Sequence, residues 1–157
     1  MSDTAMTAGT ATLTINSQAL GPLEVDPAEA IEFVEPVAGF PDCSRYVIIP
    51  HVRPDGTEDN AIAWLQGIEA PYHAFVITDP WSVAPDYAPE ISDADAAELG
   101  LTSFEDARLF GILTVPADPH RITINLRAPI VVNAASRQGK QAVLLNDEYH
   151  TRHPLAG

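Results

Sequence analysis

The residues best equipped for chemistry in this chain are His150 and His153 in "NDEYHTRHPL", with Asp147 and Glu148 close by. Imidazole and carboxylate are ordinary zinc ligands, and an i, i+3 spacing would align the two rings on a helix. This segment has no helical pattern and runs into Pro154, so capping or surface hydrogen bonding is the expected use of both rings. Cys43 is the single cysteine. It can supply one thiolate but neither a disulfide nor a thiolate cluster, and a small, partly buried apolar role is expected for it. The sequence contains no Gly-x-Ser-x-Gly elbow, His-Glu-x-x-His pair, P-loop or Gly-x-Gly-x-x-Gly run. Carboxylates are plentiful, but in so acidic a chain most are solvated, and abundance is weak evidence for acid–base catalysis. The expectation is therefore no enzyme, no metal and no cofactor.

Binding chemistry is better represented. There are 22 Asp and Glu against 8 Lys and Arg, a formal net charge of -14. Nucleic-acid phosphates would be repelled, because affinity for them comes largely from Lys and Arg. A basic protein partner would be steered inward. Solubility alone would favour the same surplus, so charge by itself leaves both readings open. The stretch "FVITDPWSVAPDY", residues 75 to 87, starts as a buried strand and then places Trp81 and Tyr87 after Asp79-Pro80, in a segment without strand or helix periodicity. Trp81 either folds back to plug the end of a barrel or projects toward a partner, since tryptophan serves both as core filling and as interface anchor. Pro80, Pro85 and Pro89 stiffen the loop in either case. Trp64 in "AIAWLQG" reads instead as a half-buried core residue.

The elements that must hold these residues are mostly strands. At 157 residues with 46% hydrophobic content, the chain reads as one soluble domain with a sizeable core. No apolar run approaches the roughly 18 to 20 residues that span a bilayer. The N-terminus lacks the features of a signal peptide, so a cytoplasmic protein without membrane contact is expected. Residues 1–10 read as a flexible tail and 11–157 as the domain. Leu13 and Ile15 alternate with threonines, the pattern breaks at Gly21-Pro22, and Leu23 and Val25 resume it, which predicts a hairpin. "AIEFV", "RYVIIP" ended by its proline, "AIAWLQGI", "HAFVITD", "RLFGILTVP", "RITINLRAPIVVN" and "KQAVLLND" follow as strands. "HVRPDGTEDN" reads as an exposed loop. The clear helix is "ISDADAAELGL", with Ser92 at the N-cap, Asp93 and Asp95 in the first turn and Gly100 as its stop. "SFED" can cap one further turn. About eight to ten short strands without βαβ alternation predict a mainly β protein, a small antiparallel β-barrel-like domain with one or two short helices.

Several stretches taken in order resemble the flagellar assembly factor FliW family: "VAGFPD" with "RYVIIP", then "WLQ", "AFVITDPW", "PDY", "TVP", "ITINLRAPIVVN", "GKQAVL" and "TRHPL". The resemblance runs over residues 11 to 155. Val37-Ala38 stands where the family usually has Ile-Pro, and the loop from His51 to Asn60 is longer than usual. What the resemblance implies is a non-enzymatic, barrel-like regulator, monomeric when free. It would bind the translational regulator CsrA, keep it off flagellin mRNA, and be titrated away by flagellin. The alternative is a chaperone that sequesters flagellin without translational control. The expected partner-binding residues are Phe40, Trp81 and Tyr87 as anchors, with Asp79 and Asp86 beside them. Screening limits charge steering to about 8 Å at physiological salt, so docking needs such apolar anchors.

Overall fold

A computed structural model describes residues 12–155; the tail expected at residues 1–10 lies outside them. Strands β3 (Ile31–Phe33), β4 (Arg45–Val52), β5 (Glu58–Gly67), β6 (Ala74–Thr78), β7 (Ala107–Thr114), β9 (Ile130–Asn133) and β10 (Gln138–Gln141) close into a barrel. The ring closes where Leu109 of β7 faces Val131 of β9. Its neighbours are antiparallel except β3 and β10, which run parallel with Gly139 opposite Phe33. Closure removes the open edges that short strands would otherwise expose. Outside the ring, β1 (Leu13–Ser17) and β2 (Gly21–Val25) form the expected hairpin, and β8 (Thr123–Ile124) joins β7 to β11 (His153–Pro154). The expected mainly β barrel with short helices is thus the fold.

Alternation divides the side chains between two sides of the wall. Ile31, Phe33, Tyr46, Leu65, Ile77 and Ile130 belong to the cluster that fills the barrel. Leu109, Ile124, Leu126, Val131 and Leu144 belong to a second cluster on the outer face of β7 and β9. A third forms where Ile15 and Val25 of the hairpin meet Val47 and Ile68. Of the two-sided apolar run "APIVVNAA", residues 128–133 are buried, as a strand with a core on both faces requires, while Ala134 and Ala135 are exposed.

Local expectations shift in four places. The first hairpin turns at residues 18–20, where Ser17 Oγ accepts from the Ala19 and Leu20 amides, while Gly21 and Pro22 already belong to β2. β4 runs through Pro50 to Val52, because the ladder shifts register between Pro50 and His51 and the exposed proline loses no needed donor there. "HVRPDGTEDN" is consequently a hairpin turn over residues 53–57 flanked by strand, with Gly56 at φ +89. "RITINLR" keeps its buried alternation at Ile124 and Leu126, yet only Thr123–Ile124 is strand. Asn125 Oδ1 accepts from the Arg127 and Ala128 amides at 3.1 and 2.9 Å, and that side-chain turn diverts the chain toward β9. Of the last predicted strand, "KQAVLLND", only Lys140 and Gln141 lie in β10; beyond it the Ala142, Leu144 and Leu145 amides donate to the Pro129, Arg127 and Glu90 carbonyls outside any strand.

The short helices follow their caps. α1 (Pro80–Val83) is capped by Asp79, whose carboxylate accepts from Trp81 N, and α2 (Asp93–Glu98) by Ser92, whose hydroxyl accepts from Asp95 N. Gly100, at φ +68, takes the left-handed turn that stops α2. Ser103 caps the single turn Phe104–Asp106 as expected. Among the described residues no helix is long and apolar enough to cross a membrane.

Candidate functional site

The barrel has two different ends. At one, which we call the mouth, β4, β6 and β9 finish and β5, β7 and β10 begin. The opposite end carries the loop between β3 and β4. Phe40 lies in that loop, half-buried, with its ring edge-on to Phe75 at 4.8 Å and to His73 at 4.5 Å. Phe40 is therefore separated from the other expected partner residues by the length of the barrel.

Those others gather beside the mouth. Asp79 is exposed and Pro80 buried at the start of α1. Trp81 is half-buried on the outer cluster, its Nε1 donating to the Tyr87 carbonyl at 2.8 Å and its ring 5.5 Å from the Tyr87 ring. Tyr87 is 4% exposed; it donates to the Leu126 carbonyl at 2.6 Å and meets Tyr149 edge-on at 4.7 Å. Burial, with the nearby Tyr149, pushes the Tyr87 phenol well above its ordinary range. Asp86 is exposed. Trp81 thus lies half-buried on the barrel's outer wall, while Tyr87 is a core residue that supports it. Trp64 is half-buried on β5, as the sequence leads one to expect.

The mouth itself is a hollow of ≈ 340 Å³ bordered by Ile77, Asp79, Trp81, Arg108 and Phe110. A second hollow of ≈ 320 Å³, edged by Ile31, Ile48 and Arg137, shares Arg108 and Phe110 with the first. The Arg108 guanidinium stands 5.1 Å from the Phe110 ring centroid between them.

Sequence reasoning missed two residues here. Lys140, the chain's sole lysine, has a side chain 6% exposed and donates to Asp95 at 2.6 Å, Glu98 at 2.6 Å and Glu35 at 3.2 Å. Burial disfavours its charge, but the hydrogen bonds to Asp95, Glu98 and Glu35 outweigh that and hold its pKa above the ordinary lysine value. Lys140 and the Asn133 amide, which donates to the Leu99 carbonyl at 2.9 Å, fix α2 to the barrel. One lysine inside the apolar run "GKQAVLL" was the available signal. Phe104 is the second. It is 48% exposed, opens the turn after α2, and walls a groove of ≈ 300 Å³ with Ile91, Ala96 and Leu101. Exposed Asp93 borders the groove, and exposed Glu105 and Asp106 follow Phe104 in the chain. Its signal was an aromatic next to two acids in a capped single turn.

Among the described residues no group of three or more His, Cys, Asp or Glu could hold a metal. His150 offers its backbone carbonyl to Leu126 N at 3.0 Å, and His153 lies in β11. What the geometry can do is receive an apolar side chain among carboxylates.

Comparison with known proteins gives one consistent answer. The family model described as FliW protein matches residues 14–155. A flagellar assembly factor FliW from Exiguobacterium sp. is 39% identical over 143 residues, covering 91% of this chain and 94% of that protein. One from Thermoanaerobacter pseudethanolicus is 36% identical over 141 residues, covering 90% and 91%. A solved crystal structure of the flagellar assembly factor FliW superposes with a TM-score of 0.80 at 30% identity, covering 92% of this chain and 98% of that one.

Proposed function

The chain belongs to the FliW family, and from that membership we propose that it is a flagellar assembly factor that acts by binding proteins and catalyses no reaction. In this reading it works in the cytoplasm as a monomer, docks on the translational regulator CsrA, and keeps that regulator from flagellin mRNA. Flagellin competes for the factor, so that translation of flagellin follows its export.

The observation that carries the reading is the Phe104 groove, an exposed apolar recess bordered by Asp93 in a chain of net charge -14. A basic, RNA-binding partner is steered to such a surface by charge and held by the recess. Exposed Asp79 and Asp86 and half-buried Trp81 add further acids and an aromatic for such a partner beside the mouth. Tyr87 contributes by supporting Trp81. Phe40, at the opposite end, is left for a different contact or for packing alone.

The test is an RNA-binding measurement. Adding the purified chain should lower CsrA affinity for a flagellin leader RNA, and added flagellin should restore it. Unchanged RNA binding together with a stable flagellin complex would leave the sequestering-chaperone reading in its place. Absence of a complex with either protein would sink both.

A further inference from the structure

Most cations of this protein are engaged within it. Arg45 pairs with Glu69 and Arg127 with Asp147, each at 3.7 Å, and Lys140 holds three carboxylates. Arg137 donates to the Ala28 carbonyl at 2.7 Å, Arg53 to the Glu58 carbonyl at 3.0 Å, and Arg108 lies on Phe110. Arg121 and Arg152 differ: among the described residues neither guanidinium has an ion-pair or hydrogen-bond partner. Both border one concavity of ≈ 730 Å³ at the end of the barrel opposite the mouth, together with His120, Pro116, Ile122 and Pro154.

Local structure explains the meeting. Asp118 caps the turn Pro119–Arg121 by accepting from His120 N at 2.9 Å, which sets Arg121 at the end of that turn. The β8–β11 register places Pro154 opposite Thr123, and Leu155 N donates to the Ile122 carbonyl at 3.2 Å, so the segment carrying Arg152 lies against the same turn. Among the described residues Asp118 is the one acid bordering the concavity, and its carboxylate is already bonded to the turn.

We propose that this concavity docks an acidic segment of a partner protein, its carboxylates meeting Arg121 and Arg152 while an apolar side chain lies on Ile122 and Pro154. Charge complementarity selects the occupant. Two exposed guanidiniums match carboxylates bidentately, and the apolar floor matches a side chain that neither phosphate nor a bare anion carries. A nucleic acid is disfavoured because it bears a charge at every nucleotide and meets the repulsion of the whole -14 surface. A short segment feels mainly the local sign, since screening confines the rest to about 8 Å. The segment contacts side chains rather than adding a strand, because β11 presents Pro154, which has no N–H to offer. The inference stands apart from the proposed function, whose surface is the Phe104 groove and shares no residue with this concavity.

The experiment is a titration of the 15N-labelled full chain with a short peptide alternating glutamate and leucine, followed by amide chemical shifts. The expected result is saturable shifts confined to residues 114–123 and 152–154, with affinity about tenfold weaker in R121E/R152E. The milder R121Q/R152Q variant should lie between, and a thermal melt matching the parent checks that both variants fold. Shifts at the mouth, or shifts that persist in both variants, would overturn the proposal. So would inorganic phosphate reproducing the same shifts at the same concentration, which would mark a simple anion site, or a single-stranded RNA binding more tightly than the peptide.

Discussion

Lys140 and the Arg121–Arg152 pair are cations of one chain with opposite fates. Lys140 is enclosed beside α2 and its charge is consumed by three carboxylates from two other segments. Arg121 and Arg152 stand in solvent with no internal partner among the described residues. A charge that is buried and paired serves architecture, because removing it strands its partners. A charge left exposed contributes little to stability and is free to contact something else. The same contrast separates Tyr87 from Phe104: one aromatic is 4% exposed and hydrogen-bonded inside the wall, the other is 48% exposed on its outside.

The largest effect that could break this comparison is at Lys140. Lys140→Met should lower stability by about 3 kcal/mol, because three carboxylates lose their cation at a buried position; urea unfolding with an unchanged m-value measures it. A loss below about 0.5 kcal/mol would show that α2 is held by other contacts. R121E/R152E, in contrast, should unfold within about 0.5 kcal/mol of the parent.

Aromatic truncation is next. Trp81→Ala should cost about 2 kcal/mol through lost packing and the unpaired Tyr87 carbonyl. Phe104→Ala should leave the thermal midpoint nearly unchanged while weakening CsrA binding about tenfold, as loss of an interface anchor does. Equal stability losses at both positions would erase the distinction between packed and presented aromatics.

The pH response sharpens the comparison further. The Glu69 carboxylate accepts from the Ser44 amide at 2.7 Å, and although partial burial works against ionisation, that bond, the Ser44 hydroxyl and Arg45 hold its pKa below the ordinary 4.5. Its folded pKa is depressed, so its contribution is present above about pH 4.5 and lost as pH falls through the lower folded value. Glu69→Gln should flatten stability in that acid window and nowhere else, as thermal melts across pH would show. Lys140 has the opposite sign. Its folded pKa is raised, so its contribution is complete below the ordinary 10.5 and lost only as pH rises through the folded value.

The smallest effect is expected inside the barrel. Tyr46 Oη is buried with no hydrogen-bond partner among the described residues, and burial, with Cys43 beside it, pushes its pKa up. Tyr46→Phe should therefore be neutral or slightly stabilising, by up to about 1 kcal/mol, in the same urea assay.

Much of the scaffold was legible because it is encoded over short spans. Alternation at Ile122, Ile124 and Leu126 marks a dry face even where the backbone leaves the strand, since the Asn125 turn changes the hydrogen bonds but not which side chains point inward. Ser92, Ser103 and Gly100 announce the ends of helical turns because a cap acts on amides two or three residues away. "DPW" stands in a stretch without periodicity, yet Asp79-Pro80 is itself a cap followed by a proline at the first helical position.

The sequence by itself determined the acidic balance, the strand-rich composition, the caps and the ordered stretches that carry the family resemblance. Tertiary structure alone decided which charges and rings remain available. Lys140 reaches Glu35 across 105 positions and Asp95 across 45, and Tyr87 reaches Leu126 across 39. The Lys140 contacts depend on the pairing of β10 with β3 and β9, which sets that side chain beside Glu35 and α2. Local pattern fixes which face of a strand is apolar; whether a given ring or ammonium is covered depends on segments that arrive from elsewhere in the chain.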